Sequence, residues 1–265
     1  MQDHQPLRGK VALITGSTSG IGLATAHVLA SNGADIVLHG LMSEAEGQQL
    51  AQQFIQQYKV RALFDDADLT CVEQINRLME RSVADMGSID ILVNNAGIQH
   101  TEEIDTFPAS QWHAIIAINL SAAFFAMQKA IPAMKKKGWG RIINIASVHG
   151  LVASVKKSAY CAAKHGIVGL TKVAALENAD QGITVNAICP GWVDTPILSN
   201  QIQEFADRKN IPFEQAKREI VSTKQPVPEM MNPSQIGEFI LFLCSDAART
   251  ISGASLPMDG AWTAQ

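Results

Sequence analysis

The sequence predicts an α/β protein: a doubly wound parallel sheet of seven strands in a single domain, residues 1–265, with a helical lid over residues 194–229. Three observations point there. Short apolar runs alternate with segments of helical period along the whole chain, which is how strands covered on both faces by crossover helices read. A glycine-rich turn, Thr15-Gly16-Ser17-Thr18-Ser19-Gly20-Ile21-Gly22, follows the first such run and opens the first helix. The chain has 265 residues, 47% of them hydrophobic and 17% charged, enough apolar material for one large core.

Residues 1–8 read as a loose leader, and 10–15 (KVALIT) as a strand stopped by Gly16. Residues 21–31 have helical period and end at Asn32-Gly33, a helix stop. Strands follow at 35–38, 60–64 and 89–93, separated by helices over 44–58 and 72–86. Residues 110–137 form one long helical stretch, with Pro132 expected to kink or break it. Next come a strand at 141–146, a helix at 159–178, and a strand at 183–188 cut off by Pro190-Gly191. Residues 194–229 interrupt the rhythm: they are more polar, contain Pro212, Pro226 and Pro228, and carry helical signals at 199–209 and 213–223. They follow a strand's C-terminal end, where a lid would cover the crevice. A helix over 233–245 and a strand over 254–258 close the chain.

The net charge is 21 − 25 = −4, with no basic block, so nucleic-acid or anionic-membrane binding lacks electrostatic support. Cys71, Cys161, Cys189 and Cys244 are scattered without a CxxC pair, which argues against a metal site or disulfide framework and suits a reducing cytoplasm. The N-terminus MQDHQPLRGK is polar, so no signal peptide is expected. No apolar run is expected to reach the roughly eighteen residues of a membrane span.

The chemistry centres on residues 144–166. Ser147 ends a buried strand; Tyr160 lies thirteen positions on, and Lys164 four positions after that, on the same helical face. A free tyrosine titrates near ~10, and lowering it to about 7 needs roughly 4 kcal/mol of preference for the phenolate. One ammonium about 4 Å away supplies a similar amount at an effective dielectric of ~20. Lys164 would thereby make Tyr160 a general acid/base, with Ser147 donating to the oxygen where charge develops. The plainer alternative is a half-buried tyrosine, a solvated lysine and a loop serine.

The glycines of the first turn fall as G-x-x-x-G-x-G. Gly16, Ser17, Thr18, Ser19, Gly20, Ile21 and Gly22 would bring backbone and a helix N-terminus up to a pyrophosphate. Cofactor type is usually set where the second strand ends, by an acid for the 2′-hydroxyl of NAD or an arginine for the 2′-phosphate of NADP. Here the residues are His39-Gly40-Leu41, and no Arg or Lys lies between Lys10 and Lys59. Nothing local pairs a 2′-phosphate unless His39 does, so NAD is the expected cofactor, with Leu41 beside it. Asp68, followed by Leu69, either holds the adenine amine or caps the next helix.

Taken together these residues resemble the short-chain dehydrogenase/reductase family over essentially the whole chain. The likeness rests on the glycine loop, Asn94-Asn95-Ala96-Gly97, Asn119, Ser147, Tyr160-x-x-x-Lys164 and Pro190-Gly191. It implies a Rossmann-type fold and hydride transfer between a secondary alcohol and a nicotinamide. Tyr160 would be acid/base, Lys164 would bind the ribose and tune Tyr160, Ser147 would orient the carbonyl, and Asn119 would support a proton-relay water. Asn95, Ala96, Gly97, Pro190, Gly191, Val193 and Thr195 join the implied cofactor contacts.

Within the family, the strings at 95–100, 147–154, 190–193 and 259–263 are most similar to a branch acting on a short 3-hydroxy/3-oxo acid. The likeness implies interconversion of (R)-3-hydroxybutyrate and acetoacetate, and a homotetramer built on the two long helices. It implies a carboxylate clamp of Gln99, His149, Lys157, Trp192 and the lid residue Gln201. Taken singly, His149 reads as a surface-loop histidine and Gln201 as a solvated helix residue. Two other readings stay open: an NADPH-dependent reductase of 3-oxoacyl thioesters, and a nicotinamide-binding regulator without catalysis.

Overall fold

A computed structural model describes residues 5–264, with the side chains of Ile197, Asn200 and Gln201 outside the description. The strands are β1 (Val11–Ile14), β2 (Asp35–His39), β3 (Ala62–Asp65), β4 (Ile91–Asn94), β5 (Gly140–Ile145), β6 (Ile183–Pro190) and β7 (Ser255–Met258). They form one parallel seven-stranded sheet in the order β3-β2-β1-β4-β5-β6-β7. The chain winds outward from β1 to β3, then returns to place β4 against β1. That reversal opens a crevice beyond the C-terminal ends of the central strands.

The helices are α1 (Gly20–Ser31), α2 (Glu44–Tyr58), α3 (Val72–Met86), α4 (Ala109–Ile116), α5 (Ala122–Lys137), α6 (Ser158–Glu177), α7 (Pro196–Lys209), α8 (Phe213–Ser222) and α9 (Pro233–Cys244). Side chains alternate across a pleated strand. Ala12, Ile14, Ile36, Leu38, Ile91 and Val93 therefore pack under α1 and α9. Val11, Leu13, Val37 and Leu92 face the opposite layer of α3 and α5, against Leu78, Met79, Met127 and Met134. Both faces of the central strands are dry, so these strands read as unbroken apolar runs. Gly237 sets the distance between α9 and α1, because a Cβ there would stand 2.9 Å from a Val28 methyl.

The long helical stretch departs from expectation. It runs through Pro132 to Lys137 without a break, since both Pro132 and Gln128, whose carbonyl loses its partner, lie on the exposed face. The interruption comes earlier, as a π turn at Ala117–Ser121 that turns Asn119 inward. The stretch Ala109–Lys137 is also apolar enough in length and composition to cross a membrane, contrary to the reading that no such run occurs. Here it is a layer of the sandwich, with the α5 side chains Ala126, Met127, Ala130 and Met134 inside the core.

Between β6 and α9 the pair α7–α8 builds its own small apolar cluster. Leu198, Ile202, Ala206 and Ala216 pack with Trp192, Phe205, Ile211 and Phe213. The backbone of Gln201 falls within α7, and its side chain lies outside the described residues. Gln225, 5% exposed, bolts the exit of this excursion to its entry. Its Oε1 accepts from the Trp192 backbone N–H at 3.3 Å, and its Nε2 donates to the carbonyls of Val227 and Glu229.

Candidate active site

A cavity of about 650 Å³ occupies the crevice. One end lies against the glycine loop. Gly16 and Gly20 have φ of +64° and +53°, a conformation that side chains other than glycine disfavour. At the N-terminus of α1, Ser19 makes no side-chain capping bond and the first turn holds no acid. By contrast, α2 and α9 carry complete capping boxes, Ser43 with Glu46 and Asn232 with Gln235. The first N–H groups of α1 are thus left for an anion. Thr195, at the N-terminus of α7, stands beside Gly20 and lines the same wall.

Two expected contacts face elsewhere. Ser17 is fully buried, its Oγ accepting from the His39 backbone N–H at 2.9 Å. Gly22 packs under the loop, where a Cβ would strike the Gly16 carbonyl and the Asn95 amide. Thr18, Ser19, Gly20 and Ile21 do line the cavity. His39 is 3% exposed, and both ring nitrogens are engaged: Nδ1 by the Gly16 N–H at 3.1 Å, Nε2 by the Ala67 carbonyl at 2.8 Å. It has no nitrogen free for a 2′-phosphate. Leu41 lies exposed at the rim, with Asp68 and Leu69 opposite. Asp68 is not a helix cap: its carboxylate accepts from the N–H and hydroxyl of Thr70, and Cys71 holds the cap position of α3.

The middle wall follows β4. Asn95 Nδ2 donates to the carbonyls of Thr15 and Gly16, and Thr15 Oγ1 accepts from the N–H groups of Asn95 and Ala96. Asn95, Ala96, Gly97, Pro190, Gly191 and Val193 line the cavity along with Ile98. Asn119 lies behind this wall. Its carboxamide accepts from the Ile98 N–H at 2.8 Å and donates to the Ile98 carbonyl at 2.9 Å.

Ser147, Tyr160 and Lys164 line one side of the cavity together. Lys164 is 4% exposed, not solvated. Its Nζ donates to the Ile145 carbonyl at 2.7 Å and stands 5.6 Å from the Tyr160 ring centroid. Burial lowers its pKa to about 8. Burial also raises Tyr160, and the hydrogen bond with Ser147 pulls it partway back. The expected lowering of the phenol by the Lys164 ammonium is not found: burial dominates, and the group that lowers the phenol is Ser147.

Beyond Tyr160 the cavity becomes cationic and aromatic. Lys157 Nζ donates to Gln99 Oε1 at 2.9 Å, and burial holds its pKa below the ordinary lysine value. His149 is buried, not a surface-loop residue: its Nε2 lies 2.9 Å from Ser154 Oγ and its Nδ1 3.3 Å from Ser147 Oγ. Burial, then Lys157, lower its pKa to about 4, so the ring is neutral at physiological pH. Trp192 stands 5.6 Å from Trp262, which in turn meets the His149 ring edge-on at 5.6 Å. Trp262 was given no role from the sequence. The available signal was its place just past the last strand, on the crevice side of the sheet.

The short chain dehydrogenase profile matches residues 10–205. The chain belongs to that family. It is 52% identical over 263 residues to D-beta-hydroxybutyrate dehydrogenase of Cupriavidus necator, covering 98% of this chain and 100% of that one. It is 50% identical over 256 residues to the enzyme of the same name from Rhizobium meliloti, covering 97% and 99%. Among solved structures, L-sorbose reductase of Gluconobacter frateurii, complexed with NADPH and L-sorbose, is similar with a TM-score of 0.92. It is 29% identical, with 97% of each chain covered. The family membership accounts for the sheet order and for the grouping of Ser147, Tyr160 and Lys164 on one wall.

Proposed function

We propose that this chain is an NAD-dependent oxidoreductase interconverting (R)-3-hydroxybutyrate and acetoacetate. The observation that carries the reading is the placement of an ammonium beside a phenol in one cavity: Lys157 Nζ lies 5.9 Å from the Tyr160 ring centroid. A 3-oxo acid has its reacting carbon two bonds from its carboxylate carbon. Its carbonyl oxygen can meet Tyr160 and Ser147 while its carboxylate meets Lys157 and Gln99. The names of the relatives at 52% and 50% identity support the same substrate.

The residues take the following roles. A bound nicotinamide dinucleotide supplies the hydride acceptor or donor. Tyr160 removes the hydroxyl proton in oxidation and returns it in reduction. Ser147 donates to the oxygen on which charge develops. Lys164 supplies the charge that favours the phenolate and a donor for the ribose. Asn119 acts through the wall it holds: its carboxamide fixes Ile98, and from the π turn it supports a relay water. Lys157 gives the clamp its charge. With Gln99 Oε1 already bonded to Lys157, the Gln99 amide N–H groups are left for the carboxylate. His149 donates or accepts as a neutral ring, and Trp192 with Trp262 limits chain length. Residues 194–229 act as the lid, with Gln201 joining the clamp on closure.

The cavity's cationic side chains, Lys157 and Lys164, stand at the substrate end. The adenine end is lined by Thr18, His39, Gly40, Leu41 and Asp68. A 2′-phosphate there would meet a carboxylate and no counter-charge, which supports NAD over NADP. We place the chain in the cytoplasm, in keeping with its free cysteines, and as a homotetramer covering the exposed apolar side chains Phe124, Val173 and Leu176. Rates with NAD and NADP, on each enantiomer of 3-hydroxybutyrate and on a 3-oxoacyl thioester, test the reading. A preference for NADP with the thioester would overturn it.

A further inference from the structure

We propose that His39 is a positioning residue for the dinucleotide, a neutral ring of one tautomer that holds the glycine loop in its binding shape. Protonation of this ring in acid releases the loop. The inference rests on the nicotinamide-dinucleotide reading above.

The partners dictate the tautomer. The Ala67 carbonyl, 2.8 Å from Nε2, can only accept, so Nε2 carries the proton. The Gly16 N–H, 3.1 Å from Nδ1, can only donate, so Nδ1 is bare. The backbone of the same residue grips the next one: Ser17 N–H donates to the His39 carbonyl at 2.8 Å, and His39 N–H donates to Ser17 Oγ at 2.9 Å. One residue at the end of β2 therefore fixes Gly16 and Ser17 on one side and Ala67, beyond β3, on the other. These are the walls of the cavity at its phosphate and adenine end. Gly16 and Gly20 take positive φ, which glycine adopts without strain, so the hydrogen bonds to His39 and not side-chain sterics fix the loop's shape.

A second proton would sit on Nδ1 and point at the Gly16 N–H. Two buried donors would then face each other, and the loop has to move. The groups around the ring are few. Asp65, the last residue of β3, and Asp66 favour the charged ring, but Asp65 is held by Arg81 of α3 at 3.0 Å. Asp68 follows Ala67 on the cavity wall. The first turn of α1 offers no acid. Burial outweighs the Ala67 carbonyl bond and the two aspartates, and keeps the ring's pKa below its ordinary value. The neutral clasp is thus the resting state, and its release belongs to acid pH. This position is where an acid for the ribose 2′-hydroxyl would be sought in sequence. The residue here works behind the loop instead.

The test measures NAD affinity by calorimetry from about pH 7.5 down to about pH 4, which reaches below the range of an ordinary histidine, on wild type, His39→Gln and His39→Phe. Selective ¹⁵N labelling of the histidines reads the tautomer directly. The expected spectrum shows His39 protonated at Nε2 alone near neutral pH. Wild-type affinity should fall progressively toward acid. His39→Gln keeps an acceptor and a donor but cannot titrate, so it should bind nearly as wild type at neutral pH and lose the acid fall. His39→Phe loses both ring hydrogen bonds and should bind about ten- to a hundred-fold more weakly throughout. A proton on Nδ1 near neutral pH, or the same acid slope in wild type and His39→Gln, overturns the proposal. If wild type binds no dinucleotide, the cofactor reading fails and the positioning role falls with it, whatever the tautomer.

Discussion

The two ends of the cavity are made of different material. At the adenine and phosphate end the ligand would meet glycine backbone, a helix N-terminus without a capping bond and the apolar rim of Leu41. Side chains that hold this end, such as Ser17, His39 and Asn95, bond to backbone groups of the protein itself. At the substrate end the wall is Tyr160, Lys164, Lys157 and His149, each with a displaced pKa. Displaced pKa values gather where protons or charges are handled. On the proposed reading the first end would recognise by shape and dipole, the second by charge and proton position. Changes at the two ends should therefore separate cleanly in their kinetic signatures.

The largest separation is expected from Tyr160→Phe. The ring stays, so the cavity keeps its shape, and only the transferable proton is removed. Turnover should drop by about 10²–10⁴-fold, the range for a positioned acid/base. NAD affinity, measured calorimetrically, should change little. A variant retaining wild-type turnover would remove Tyr160 from the chemistry and leave the substrate end without a proton carrier.

Lys157→Ala strikes the same end without touching the proton. It removes the charge from the clamp and frees Gln99 Oε1, which now accepts from Lys157. A hydrogen bond to a charged group is worth about 1.5–3 kcal/mol, so KM for 3-hydroxybutyrate should rise about ten- to a hundred-fold. The control is a neutral secondary alcohol of similar size, whose kcat/KM should hardly move. Equal losses on both substrates would mean that Lys157 supports the fold of the 153–157 loop and does not bind a carboxylate.

The two ends also differ in how far the sequence discloses them. The glycine loop, the Ser147–Tyr160–Lys164 spacing and the alternation of strands and helices are local patterns, and they suffice to predict one cavity at the sheet reversal. Of the proposed clamp residues Gln99, His149 and Lys157, Gln99 lies 58 positions from Lys157, and the three carry no shared pattern. Only the family likeness brought them together, and the structure puts all three on the cavity wall. What escaped entirely depends on contacts that no local signal marks. The π turn was missed because Asn119 bonds a residue 21 positions away. The inward turn of His39 depends on Ala67, 28 positions on. The bolt between Gln225 and Trp192 spans 33 positions. Pro132 misled for the opposite reason, since its local rule is outvoted where the freed carbonyl is exposed.

At the dinucleotide end the sharpest change is Leu41→Arg. The position is 76% exposed at the rim, so the new side chain needs no repacking and can reach a 2′-phosphate. An exposed ion pair is worth about 0.2–1 kcal/mol, which converts to a gain of up to about fivefold in kcat/KM with NADP. The rate with NAD and the KM for the hydroxy acid should stay as they are. No gain with NADP would mean that Leu41 lies off the ribose, and that the discrimination rests on Asp68 alone.

The smallest effect is a shape rather than a loss. In the proposed clamp Lys157 would bind a carboxylate only while charged, and burial holds its pKa below the ordinary lysine value. The sign follows from that direction. The charged form disappears as pH rises through the lowered pKa, so KM for 3-hydroxybutyrate should climb toward alkali, and from a lower pH than an ordinary lysine would give. His149 cannot produce this rise, because its pKa is about 4 and it is neutral throughout. Lys157→Arg separates charge from titration. Arginine keeps its proton throughout the range in which lysine titrates, though its fork fits the Gln99 carbonyl less well than an ammonium does. The variant should start with a KM a few-fold higher and then stay level where the wild type climbs, so that the two curves converge in alkali. Tyr160 and Lys164 are unchanged between the two proteins, and any titration they contribute cancels in the ratio of the curves. Parallel alkaline rises would assign the titration to them and strip Lys157 of its part in the clamp.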